Sequence, residues 1–125
     1  MSSKYNPVNW FEIPVKDMNR AKSFYEQVFG FELSINQMGP IQMAWFPMIQ
    51  DGAGATGTLV RGEGYNPSHN GTLIYFSVAD IDAALKKVNK QGGKTLTPRT
   101  SIGEYGFYAL FEDCEGNRVA LHSRE

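Results

Sequence analysis

The sequence predicts an α+β fold made from two copies of one βαβββ module. Three observations carry this. The chain repeats itself at a 63-residue offset, each copy has an acidic residue before a helical pattern that ends at glycine, and three short strand patterns follow each helix. The ungapped repeat pairs Val15 with Val78, Asp17 with Asp80, Met18 with Ile81, Ala21 with Ala84, Gly30 with Gly93 and Leu33 with Leu96.

Each copy follows the same order. The opening strand alternates with period two over Val8–Pro14 and again over Leu73–Val78. Asp17 and Asp80 stand where an N-cap must accept from the first free helix amides. Apolar residues then recur at helical spacing: Met18, Ala21, Phe24, Tyr25 and Val28, then Ile81, Ala84, Leu85 and Val88. Gly30 and the Gly92-Gly93 pair end the helices with a left-handed residue. The strands that follow are Phe31–Gln37, Ile41–Ile49 and about Ala55–Val60 in copy one. In copy two they are Lys94–Thr97, Glu104–Glu112 and Arg118–Ser123. Gly39-Pro40, Asp51-Gly52 and Asp113–Gly116 are turns.

These elements divide the chain into module one (about 6–60), a polar linker (61–71) and module two (about 72–123), within one domain covering 1–125. Strand alternation sets the faces. Phe11, Ile13 and Val15 share one face of the first strand, as Ile74, Phe76 and Val78 do in the other copy. This uniformly apolar face takes the helix. The opposite faces carry Trp10, Glu12 and Pro14, and Leu73, Tyr75 and Ser77; such a mixed set suits a ligand-lining surface.

Bulk properties exclude several classes. A net charge of -1 with scattered Lys and Arg gives no nucleic-acid or anionic-membrane surface. No stretch approaches the ~20 apolar residues of a membrane span, and Met1–Asn9 lacks the apolar region of a signal peptide. Cys114 is the single cysteine, so no internal disulfide forms, and the expected location is cytoplasmic. The glycine-rich run at 52–57 is not a phosphate loop: no Lys-Ser/Thr and no helix follow it. Cys114 has no activating base in sequence, and His69 in the polar linker is expected to be solvated.

The stretches IPVKDMNRAKSFYEQVFGFEL, FSVADIDAALKKVNKQGG and FEDCEGNRVALH, which span nearly the whole chain, resemble the vicinal oxygen chelate (glyoxalase/bleomycin resistance protein/dioxygenase) superfamily. The likeness extends in particular to its small glyoxalase-related members. It implies a cup-shaped mixed sheet around a cavity, helices on the outer face, and a homodimer. Metal-using members place His or Glu on the first and last strands of each module. By position those places fall here on Trp10, a residue within Thr56–Leu59, Leu73 and Ala120, none of which is an ordinary divalent-metal ligand. The expectation is therefore no metal and no cofactor.

Two ionisable residues share the predicted cavity face. Glu12 lies two positions beyond Trp10 and His122 two beyond Ala120, so period two keeps both inward. They are candidates for acid–base catalysis, for ligand contact or for an incomplete metal site; otherwise Glu12 is paired within the fold and His122 is a strand-end side chain. Trp10, Trp45, Tyr75 and Phe107 (with Tyr108 beside it) are candidate ligand-lining aromatics, and equally candidates for core. Glu104–Gly106 is placed at the rim. The expected function is binding of a small molecule in the inter-module cavity. The alternative is a lyase or isomerase acting on a small carbonyl compound with Glu12 as general base.

Overall fold

The computed structural model describes residues 6–125. Residues 1–5, part of the N-terminal stretch read above for a leader, lie outside them. The order is β1 (Trp10–Pro14), α1 (Met18–Phe29), β2 (Ser34–Met38), β3 (Ile41–Trp45) and β4 (Thr56–Arg61). It repeats as β5 (Tyr75–Ser77), α2 (Ile81–Lys90), β6 (Lys94–Ser101), a 3₁₀ turn (Gly103–Tyr105), β7 (Phe107–Glu112) and β8 (Arg118–Ser123). Two four-stranded mixed sheets result, ordered β1-β4-β3-β2 and β5-β8-β7-β6, with one parallel pair in each, β1 with β4 and β5 with β8. The architecture is the α+β pair of βαβββ modules expected. Among the described residues no helix is long and apolar enough to cross a membrane.

Both helices start as their sequences require. Asp17 and Asp80 are extended and accept from Arg20 N and Ala83 N, each at 3.0 Å. The apolar residues chosen by helical spacing are those that are buried: Met18, Ala21, Phe24, Tyr25 and Val28 in α1, Ile81, Ala84, Leu85 and Val88 in α2. The C-termini differ. Gly30 (φ 77°) closes α1, but Gly92 (φ 97°), not the repeat partner Gly93, is the left-handed residue after α2. Gly93 meets a different demand: a Cβ there would stand 2.5 Å from Glu112 O and 2.9 Å from Val88 Cγ1.

Strand limits depend on the partners available. β1 begins at Trp10, not Val8, because its neighbour β4 begins opposite it at Thr56. β5 is likewise shorter than Leu73–Val78, and β2 begins at Ser34 after Phe31 has turned into the core. β6 runs past Pro98 to Ser101; an edge strand tolerates the missing amide, and the ladder to β7 is irregular there. β7 starts at Phe107 because 103–105 coil into the 3₁₀ turn.

The two modules share one core. Phe76 of β5 packs 4.6–5.9 Å, ring to ring, from Phe11, Tyr25, Phe29 and Phe46 of module one, and Phe24 of α1 lies 6.1 Å from Phe111 of β7. A polar clasp reinforces this. The turn after β7 supplies Asp113, Glu115 and Asn117. Asp113 Oδ2 accepts from Tyr25 Oη (2.7 Å) and Asn117 Nδ2 (3.0 Å), and Oδ1 from the amides of Glu115 and Asn117. The Glu115 carboxylate, without solvent exposure, accepts from the amides of Lys16 and Asp17 and from the Arg20 guanidinium. That ion pair raises the Arg20 pKa further. Asn117 Nδ2 also reaches Pro14 O at 2.8 Å. The DCEGN segment thus completes the β1–α1 junction of the other module.

Candidate functional site: a tryptophan pair, Glu12 and a polar cleft

β1, β4 and β3 lie side by side, so register fixes a row on the face away from the helices. Glu12 is opposite Thr58, and Thr58 is opposite Trp45. Trp10, two residues before Glu12 on the same face, meets Trp45 edge-on with ring centroids 5.5 Å apart. Thr58 is fully buried, with its hydroxyl 2.9 Å from Ala44 O and 2.7 Å from Leu59 O. The Glu12 carboxylate is exposed and has no partner among the described residues. Trp45 Nε1 is buried and has no acceptor among the described residues. Trp10 and Trp45 therefore pack on each other on the sheet face that also carries Glu12.

The other candidates lie elsewhere. Tyr75 is 54% exposed on β5, opposite Ala120. His122 stands opposite Ser77 and Tyr108, and its Nε2 donates to the Tyr105 carbonyl at 2.7 Å, tying β8 to the rim turn. Phe107 is on the helix-side face with Ala109 and Phe111, packed against the core and covered by the Arg99 guanidinium at 3.7 Å; Tyr108, its neighbour, faces the other way. His69 is not simply solvated, since its Nε2 pairs with Glu112 Oε1 at 2.7 Å. Burial, reinforced by Asp113 and Glu115, pushes the Cys114 thiol up to about 12.

Register also narrows the four positions at which the family resemblance places metal ligands. The Val15 amide donates to Val60 O and the Val78 amide to His122 O, both at 2.9 Å, so Val60 corresponds to His122 and Thr58 to Ala120. The set is therefore Trp10, Thr58, Leu73 and Ala120. An indole, an alkyl chain, a methyl and a hydroxyl already bonded to backbone do not make a divalent-metal donor set.

Glu12 also lines a cleft of about 200 Å³ between the modules, whose Arg118 and linker residues sequence reasoning did not single out. Glu12, Pro14, Asn117 and Arg118 line it, together with the polar residues Asn66, Ser68, Asn70 and Thr72 of the connecting segment. The segment is held in place: Ser68 N donates to Asn117 Oδ1, and Lys16 Nζ to Asn66 Oδ1. Arg118 Nε is buried and without an acceptor among the described residues. Alternation along β8 puts Arg118 on the face of Ala120 and His122, the rule that selected His122.

The chain matches the Glyoxalase/Bleomycin resistance protein/Dioxygenase superfamily over residues 8–121. It is 31% identical over 124 residues to a "Glyoxylase-like domain-containing protein" of Didymella fabae, covering 96% of this chain and 95% of that one. It is 30% identical over 119 residues to the "Putative glyoxylase CFP32" of Mycobacterium bovis, where 90% of this chain spans 44% of the relative's length. Among solved structures, a glyoxylase/bleomycin resistance protein/dioxygenase domain from Frankia sp. EAN1pec superposes with TM-score 0.74 at 15% identity, over 98% of this chain and all of that one. The fosfomycin resistance protein FosX of Listeria monocytogenes gives 0.67 at 19% identity, over 98% and 92%. At these identities the structural likeness is one of fold.

Proposed function

This chain belongs to the Glyoxalase/Bleomycin resistance protein/Dioxygenase superfamily, and we propose that it is a small-molecule binding protein of that type working without the usual metal site. The reading is carried by the Glu12–Thr58–Trp45 row, which puts on one sheet face a carboxylate with no partner among the described residues and the Trp10–Trp45 pair, whose Trp45 Nε1 is buried without an acceptor among those residues. A buried donor left unmatched costs about 1–3 kcal/mol, a cost that a ligand acceptor removes. Indole faces and edges add apolar area suited to a partly aromatic compound. The metal-free part rests on the donor chemistry of Trp10, Thr58, Leu73 and Ala120.

The test is a titration followed by tryptophan emission, using small aromatic and carbonyl compounds, run with and without chelator and repeated on Trp45→Phe. The expected result is saturable binding that chelator leaves unchanged and Trp45→Phe weakens. Binding that chelator abolishes, or that nickel or manganese restores, would overturn the metal-free reading.

A second reading, a lyase or isomerase acting on a small carbonyl compound, draws on Glu12 alone: an exposed carboxylate with no partner among the described residues is available as a base. Turnover that Glu12→Gln lowers about 10²–10⁴-fold would establish it; recovery of every bound compound unchanged excludes it. The proposal includes module limits of about 6–60 and 72–123 around linker 61–71, a homodimer, and a cytoplasmic location. Apolar side chains exposed at Met38, Met48 and Ile49 support self-association. The unpaired Cys114 supports a reducing compartment.

A further inference from the structure

We infer that the cleft between Glu12 and Arg118 takes a small zwitterion of the amino-acid class, its ammonium on the Glu12 carboxylate and its carboxylate on the Arg118 guanidinium. The inference rests on the small-molecule reading above and names the chemistry of the ligand's polar end.

Several polar groups of the lining are already used within the fold. The Asn117 amide is saturated by Ser68 N, Pro14 O and Asp113 Oδ2. Asn66 Oδ1 accepts from Lys16 Nζ, and the Ser68 hydroxyl is turned to the Asn70 backbone. These groups build the wall. Four side chains in the lining have no hydrogen-bond partner among the described residues: Glu12, Asn70, Thr72 and Arg118. Two of the four carry opposite full charges.

Glu12 and Arg118 line the same cleft, yet neither enters an ion pair among the described residues, so their charged atoms are more than 4.0 Å apart. Opposite charges that line one cleft without pairing with each other match a molecule carrying the complementary pair of charges. Guanidinium offers a planar fork matched to carboxylate, and the Arg118 Nε, buried without an acceptor among the described residues, is one tine of that fork. A carboxylate accepts from a primary ammonium, which has three donors and no acceptor. The cleft volume of about 200 Å³ is below the usual range for drug-sized ligands and suits a molecule of few heavy atoms. Asn70 and Thr72 remain for a third polar group. A neutral ligand leaves both charges unmatched, and a simple anion leaves Glu12 facing it.

The experiment screens the twenty standard amino acids one at a time by thermal shift. The best one is then measured by calorimetry against its N-acetyl and carboxamide derivatives. At least one amino acid should bind, with both derivatives at least tenfold weaker. Glu12→Gln should abolish discrimination against the N-acetyl form, and Arg118→Gln discrimination against the amide. Should Arg118→Gln not fold, Arg118→Lys keeps the charge, loses the fork and should still weaken the carboxylate form. No stabilisation by any of the twenty, or equal affinity for the blocked derivatives, overturns the zwitterion assignment. Tryptophan emission that still responds to neutral aromatic compounds then leaves the broader binding reading standing; silence there overturns both.

Discussion

The Tyr25 hydroxyl donates to Asp113 Oδ2 at 2.7 Å, and neither side chain reaches solvent. The bond joins the helix of module one to the last turn of module two. Tyr25→Phe keeps the ring packing against Phe24, Phe29 and Phe76 and leaves Asp113 short of one donor. The expected loss is about 1–3 kcal/mol in urea unfolding, seen as a lower midpoint with unchanged slope. An unchanged midpoint would mean the clasp contributes nothing.

The same carboxylate gives a pH dependence of known sign. Burial raises the Asp113 pKa, and donation from Asn117, Tyr25 and Glu115 opposes this without cancelling it. The folded protein therefore holds this proton more tightly than the unfolded chain, whose value is the ordinary 3.8. The associated stability is full below 3.8 and is lost as pH rises through the raised native value. Asp113→Asn should be less stable throughout and show a flatter slope in that window, measured by unfolding at a series of pH values. An identical slope would assign the dependence to other groups.

Adjacent glycines after α2 should respond differently to alanine. At Gly92 the cost is the positive φ alone, about 1–2 kcal/mol, since the nearest atom to an added Cβ is Cys114 Cβ at 3.8 Å. At Gly93 the Cβ meets a backbone oxygen that cannot move aside, and a loss of about 3 kcal/mol is expected. Thermal unfolding of the two variants ranks them; the reverse order would contradict this close approach.

Cys114 should be inert in the folded chain. With its thiol at about 12 against an ordinary 9.0, the thiolate fraction near neutral pH falls about 1,000-fold, and thiolate is the reacting species. Iodoacetamide should leave the native protein unmodified under conditions that alkylate the chain in urea, as read by mass spectrometry. Equal labelling would place the thiol in a different environment.

Much of the fold was legible because it depends on local rules. Period two found the helix-side face of β1, helical spacing found every buried residue of α1 and α2, and Asp17 and Asp80 marked both helix starts. What escaped depends on partners distant in the chain. β1 is trimmed by where β4 begins, and β6 passes Pro98 because it lies at an edge. In the site, alternation put Glu12 beside Trp10, but only register added Trp45 through Thr58. Phe107 and Tyr108 were not separable until β7 was paired. Arg118 was passed over because its importance comes from the linker folding across it, which no spacing records.

The clasp by the DCEGN turn also bears on how the chain acquires its structure. Tyr25, Asp17 and Lys16 find their partners 88, 98 and 99 positions later. During synthesis, the first helix is made long before the groups that satisfy its buried hydroxyl and leading amides. The repeat is therefore not a pair of independent folding units: the first half waits, with unmatched polar groups, for the last hairpin to close. Such non-local dependence slows folding and prolongs exposure of apolar surface. A duplication plain in the sequence has become, in the folded protein, a single cooperative event.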